Sequence, residues 1–142
     1  MIKPKIYIPT FDTEYYNIPI NLDIGSRCPL QCPGCWRQTE WYNIHRYSFN
    51  DMSVEDLQKF VDNKFTHIEF SGQQSDPMAH PNILEFISIC CNKKLTIHTA
   101  ASHRKKDFYE EAFNRCGMRT SWIFGLDGLP EESHKHRINQ NG

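Results

Sequence analysis

Long apolar runs are missing from this sequence. No stretch approaches the ~18 consecutive apolar residues that a membrane-spanning helix needs. The first ten residues hold Lys3, Pro4 and Lys5 but no apolar signal core behind them. Excess charge is missing too: 16 Lys+Arg stand against 17 Asp+Glu, a formal net charge of -1. That balance excludes polyanion binding driven by bulk electrostatics, and no nucleic-acid partner is indicated. No repeat, low-complexity tract or Gly/Ser linker divides the 142 residues, so they read as one ordinary domain rather than two. A composition 39% hydrophobic and 23% charged is globular, not disordered. The reading is an intracellular, cytoplasmic protein with no membrane association.

What is present is cysteine, six of them. In a reducing compartment these are expected as buried thiols, metal ligands or reactive groups rather than as a disulfide framework. Cys28, Cys32 and Cys35 lie close together, whereas Cys90, Cys91 and Cys116 fall on or beside apolar helical stripes and read as small buried hydrophobes.

The rest of the chain alternates strand, polar loop and helix. Ile18, Ile20, Leu22 and Ile24 alternate with Pro19, Asn21 and Asp23, a period of two. Ser53 then stands as an N-cap, with Glu55 and Asp56 in the first turn and Val54, Leu57, Phe60 and Val61 on one helical face. A second strand spans 66–70, and Pro81 opens a helix carrying Ile83, Leu84, Ile87 and Cys91. A third strand spans 95–99, followed by a helix with Phe108, Ala112, Phe113 and Cys116 that Gly117 stops. A fourth strand, 121–126, leads to Asp127-Gly128 and a last helical start near Glu131. Strands alternating with helices indicate βα units and a parallel sheet.

One face of several strands is polar: Asn21 and Asp23, His67 and Glu69, Thr96 and His98. Parallel strands covered on both faces read as continuous apolar runs instead. A curved, barrel-like parallel sheet with helices outside and a polar, ligand-filled concave face accounts for the pattern; an antiparallel sheet with one wet face is the plain alternative.

The loop after the first strand holds Cys28-Pro-Leu-Gln-Cys32-Pro-Gly-Cys35, a C-x3-C-x2-C spacing. Three thiolates on one short loop can converge on one metal centre. Structural zinc wants four ligands, and no fourth Cys or His stands at a usual finger spacing, although His45 or a residue brought in by folding could complete such a site. A [4Fe–4S] cube held by three cysteines keeps one iron open for a small molecule. The sequence therefore leaves a reactive centre, a zinc module and an iron–sulfur electron carrier all standing.

At these residues the chain resembles the radical S-adenosylmethionine enzymes, whose signature is C-x3-C-x2-C after the first strand of a partial (β/α)6 barrel. The resemblance implies that Cys28, Cys32 and Cys35 hold a [4Fe–4S] cluster and that S-adenosylmethionine chelates the fourth iron. It implies an oxidoreductase-like activity: one electron cleaves the sulfonium to methionine and a 5′-deoxyadenosyl radical, which takes a hydrogen atom from substrate. An external electron donor such as a flavodoxin or ferredoxin is implied with it. Where many members carry an aromatic before the third cysteine, this chain has Gly34, with Trp36 and Arg37 just after Cys35.

Further loops extend the resemblance. Gly72, Gln73, Gln74 and Asp76, before Pro77, look like a variant of the family's G-G-E-P segment, which meets the amino group of S-adenosylmethionine, with Gln73, Gln74 and Ser75 as a longer middle. Thr99 matches the start of a T-N-G loop in which Ala100 and Ala101 replace Asn-Gly. Asp127 matches the S-x-D-G element that reaches the ribose, and His134 with Arg137 resembles a His…Arg stretch, Arg137 being placed to meet a carboxylate. All fall at carboxyl ends of strands, where barrel sites are built. No catalytic side chain and no substrate are named by the sequence.

The resemblance covers an incomplete core at 18–142, about four of six βα units, behind an arm at 1–17. The expectation is the amino-terminal portion of a longer enzyme, or a truncated form that binds a cluster but turns over poorly. Its fourth strand, with Trp122, Ile123 and Phe124, is expected to present an unpaired apolar edge.

Overall fold

The computed structural model describes residues 18–35, 37, 50–73 and 75–138. His45, Trp36 and Gln74 lie outside the described residues. The chain is α/β, in the order β1 (Ile20–Leu22), α1 (Val54–Asp62), β2 (His67–Phe70), a 3-10 turn (Pro77–Ala79), α2 (Ile83–Ile89), β3 (Lys94–Thr99), α3 (Lys106–Arg115), β4 (Thr120–Phe124) and α4 (Ser133–His136). The four strands pair in chain order, all parallel, with Asn21 opposite Glu69, Glu69 opposite Thr96 and Thr96 opposite Ser121. The antiparallel alternative is excluded.

Alternation along the strands divides the sheet into two faces. Leu22, Ile68, Phe70, Leu95 and Ile97 form one buried cluster with Leu57 of α1, Ile83, Phe86 and Ile87 of α2, and Ala112 of α3. Neighbouring helices pack on one another, α1 on α2 and α2 on α3, and complete this layer. Its apolar burial is the main driving force for the fold. The opposite face is polar and bonded across strands. His67 Nε2 lies 2.9 Å from Thr96 Oγ1, His98 Nε2 lies 2.8 Å from Glu69 Oε1, and Ser75 Oγ donates to Asp23 Oδ1 at 2.8 Å.

The local signals work largely as expected, with three differences. Ser53 caps α1, its Oγ accepting from the Asp56 N–H at 3.0 Å. The first strand pairs only over Ile20–Leu22, because the chain then turns so that the Ile24 carbonyl accepts from the Met52 N–H. Pro81 precedes α2 rather than opening it, since the 3-10 turn and Asn82 take up the entry. Gly117 follows α3 without a left-handed backbone; a Cβ there would stand 1.9 Å from the Cys91 carbonyl oxygen, so close approach demands the glycine. Cys90 is fully buried, its thiol pushed up to about 12 by burial, and Cys91 and Cys116 are half-buried. On β4, Trp122 packs edge-on to Phe113 at 5.1 Å between ring centres, while Ile123 and Phe124 stay exposed at the sheet margin. Among the described residues no helix is long and apolar enough to cross a membrane.

His80 ties the loop after β2 to the chain before α1. Its Nδ1 accepts from the Asn82 N–H at 3.1 Å, which leaves Nε2 to donate to the Met52 carbonyl at 3.2 Å. Its ring lies 4.5 Å from that of Phe86. Burial holds His80 below the ordinary histidine range, against the opposing pull of Asp51. The unfolded chain therefore takes up this proton more readily than the folded one. Stability contributed by neutral His80 is full above about pH 6.5 and is lost as pH falls toward the depressed folded value. The urea midpoint is expected to drop between about pH 7 and about pH 5, less steeply in His80→Gln. An unchanged slope in that variant would remove His80 from the account.

Candidate functional site

The four strands end in loops that surround one cleft of about 280 Å³. Cys28, Leu30, Cys32 and Cys35 line it after β1, Gly72, Ser75 and Asp76 after β2, and Thr99 and Ala100 where β3 ends. His98 forms part of the floor, and Ile123, Gly125, Asp127 and Arg137 complete the far wall. Nine of the ten residues that the sequence singles out for metal or cofactor lie among the described residues. Eight of these line the cleft; Gln73 is exposed and stands outside it.

Asp76 organises the rim. Its buried carboxylate accepts from the Met78 N–H at 2.9 Å, from Thr99 Oγ1 at 2.8 Å and from the Ala100 N–H at 3.0 Å. Its own N–H donates to the Arg27 carbonyl at 2.8 Å. One residue thus joins the loops after β1, β2 and β3. Three of about four acceptor positions on the carboxylate are filled from within the protein, which makes Asp76 first a positioning group. Gly72 permits this loop to fold tightly: a Cβ there would meet the Ser75 carbonyl oxygen at 2.0 Å.

Thr99 relays the order onward, since its Oγ1 also accepts from the Ala101 N–H at 3.0 Å. Ala101 sits in the left-handed region at φ 52°, where glycine is favoured.

The far wall is closed by Arg137. Its Nε donates to Asp127 Oδ2 at 2.5 Å, and its terminal nitrogen passes over Gly125, where a Cβ would come within 2.6 Å. One residue on, the Ile138 carbonyl accepts from the Gln31 N–H at 3.0 Å. The loops after β1 and β4, from opposite margins of the sheet, therefore meet across the cleft. Sequence reasoning missed this bridge and passed over Leu30; the bridge is made by backbone groups, so no residue identity signals it.

The thiols share a wall, and the turn between them is fixed by the Cys35 N–H donating to the Cys32 carbonyl at 2.9 Å. Burial pushes the Cys28 thiol up, against a Leu30 backbone hydrogen bond and the Arg37 charge. Burial likewise raises Cys32, against the Arg137 charge. Arg37 Nη2 donates to the Ser26 carbonyl at 3.0 Å, behind the same loop. Among the described residues no three His, Cys, Asp or Glu side chains stand gathered tightly enough to hold a metal ion. Holding a metal centre would require residues 28–35 to draw the three sulfurs together. The donor chemistry suits such a centre: three thiols and no fourth cysteine line the cleft, and the Nε2 of His98 is already taken by Glu69.

Compared with family models, curated proteins and solved structures, the chain matches none.

Two substitutions test the rim in opposite directions. Thr99→Val withdraws a donor from buried Asp76 and an acceptor from Ala101, and should cost about 1–3 kcal/mol in chemical denaturation. Ala101→Gly should stabilise by about 0.5–1 kcal/mol by relieving the left-handed backbone, despite the lost methyl.

Proposed function

We propose that the cleft holds a [4Fe–4S] cluster on Cys28, Cys32 and Cys35 together with S-adenosylmethionine, and that the chain is a radical S-adenosylmethionine enzyme built on a partial (β/α) barrel. The observation that carries this reading is the shared location of the C-x3-C-x2-C loop and of Gly72, Asp76, Thr99, Asp127 and Arg137: one cleft at the carboxyl ends of four parallel strands. The singly ordered sheet, with apolar side chains toward the helices and polar ones on the open face, is what a barrel segment requires. Ala101 adds a local argument, because its left-handed backbone falls where the T-N-G loop of the resembled family has glycine.

When bound, the reduced cluster supplies the electron that cleaves S-adenosylmethionine to methionine and a 5′-deoxyadenosyl radical for hydrogen abstraction from substrate. The chain's own residues bind and orient. Cys28, Cys32 and Cys35 would hold the cluster as thiolates; burial opposes loss of the proton at Cys28 and Cys32, while the charge of Arg37 favours it at Cys28 and that of Arg137 at Cys32. Gly72 lets the loop carbonyls approach an ammonium group closely, while Asp76 fixes that loop and keeps one acceptor position for it. Arg137, held by Asp127, keeps its terminal nitrogens available to a carboxylate, and Asp127 keeps an oxygen for ribose hydroxyls. Gln73 and Gln74 belong to the same loop in this reading. A flavodoxin or ferredoxin would deliver the electron.

Electron-paramagnetic resonance of the anaerobically reconstituted, reduced chain tests the proposal. A [4Fe–4S] signal that changes on adding S-adenosylmethionine, and that is lost in Cys32→Ser, is expected. A spectrum indifferent to the nucleoside would overturn it.

A further inference from the structure

Beneath the cleft the open face of the sheet continues from His98 to Glu69. Their side chains are paired at 2.8 Å across β3 and β2, and both remain partly exposed, 36% for His98 and 23% for Glu69. Only one oxygen of Glu69 is used by the pair. The neighbouring polar groups on this face are otherwise occupied: His67 with Thr96, Asn21 with Ser71, and Asp23 with Ser75. Lysine and arginine are absent from the described strand residues of this face except for Lys94, at the opposite, amino-terminal end of β3. Arg137, whose guanidinium lines the cleft, pairs through its Nε with Asp127 on the far wall.

We infer that the Glu69–His98 pair is a substrate-docking site for a cationic group, an alkylammonium, and that it selects amine-bearing substrates over phosphates and carboxylates. The carboxylate of Glu69 supplies the negative charge of the pair. His98 approaches one carboxylate oxygen, and among the described residues no hydrogen bond or ion pair takes the other. A carboxylate prepositioned in a half-enclosed site attracts an ammonium more strongly than one rotating in water. An anionic group set there would meet Glu69, while the one lysine or arginine among the described strand residues of this face, Lys94, lies at the other end of β3. As an assignment of substrate this rests on the function proposed above, since it places the substrate beside the same cleft. As an assignment of a binding site it does not.

The two are separated by a titration that needs neither cluster nor nucleoside. The isotope-labelled, full-length chain is titrated with n-propylammonium, acetate and inorganic phosphate in turn, following the His98 ring resonances by NMR. Propylammonium should shift His98 saturably and the two anions should not. Glu69→Gln, which keeps a hydrogen-bonding oxygen for His98 but no charge, should weaken the amine about fivefold or more. The wild-type selectivity stands as a test even if that variant is poorly folded. Shifts from phosphate or acetate that equal the amine's, no saturable shift from the amine, or amine affinity unchanged in folded Glu69→Gln would each overturn the assignment. Amine binding in a chain that fails to assemble an iron–sulfur cluster would keep the site and discard the radical chemistry.

Discussion

Three hydrogen bonds to one buried carboxylate hold the working end of this protein together. Asp76 takes donors from its own 3-10 turn and from the end of β3, and its N–H reaches back to the loop after β1. Burying a carboxylate is costly unless it is so satisfied. Once it is, the loops around it are fixed to one another, because any of them can move only by leaving a charge unpaired. The cleft is therefore a consequence of Asp76 rather than a gap between independent loops.

The two faces of the sheet divide the labour. The helix-covered face supplies apolar burial through Ile68, Phe70, Leu95 and Ile97, and with it the stability that lets the rim loops be polar. The open face carries cross-strand polar pairs, which fix side-chain directions without closing the surface to ligands. Arg137 and the Gln31–Ile138 hydrogen bond then draw the margins of the sheet toward each other at the top. A metal centre on the cysteine loop would sit within this frame.

Much of this was legible in the sequence, for identifiable reasons. The order of strands and helices followed from periods of two and of 3.6, because one side of each element had to be apolar. Ser53 was readable as a cap, since its partner Asp56 is three residues away. The contributions of Asp76 and Thr99 to the site were readable only as positions. Two of the three donors to Asp76 come from the end of another strand, and no local pattern marks those positions as already satisfied. Gly117 invited a left-handed helix stop, but the Cys91 carbonyl, distant in sequence, is what requires it. Ala101 hides the same kind of information, since alanine gives no warning of a positive φ. The bridge from Gln31 to Ile138 uses backbone groups alone and leaves no trace in residue identity.

The central claim is that three thiols on one loop, in a cleft fixed by Asp76, form an open-cornered iron centre. Quantitative metal and acid-labile sulfide analysis of anaerobically prepared protein addresses it most directly. About four irons and four sulfides per chain, falling sharply when Cys28, Cys32 or Cys35 is replaced by serine, is the predicted result. One tightly held zinc per chain with no sulfide would contradict it and leave a closed structural metal site in its place.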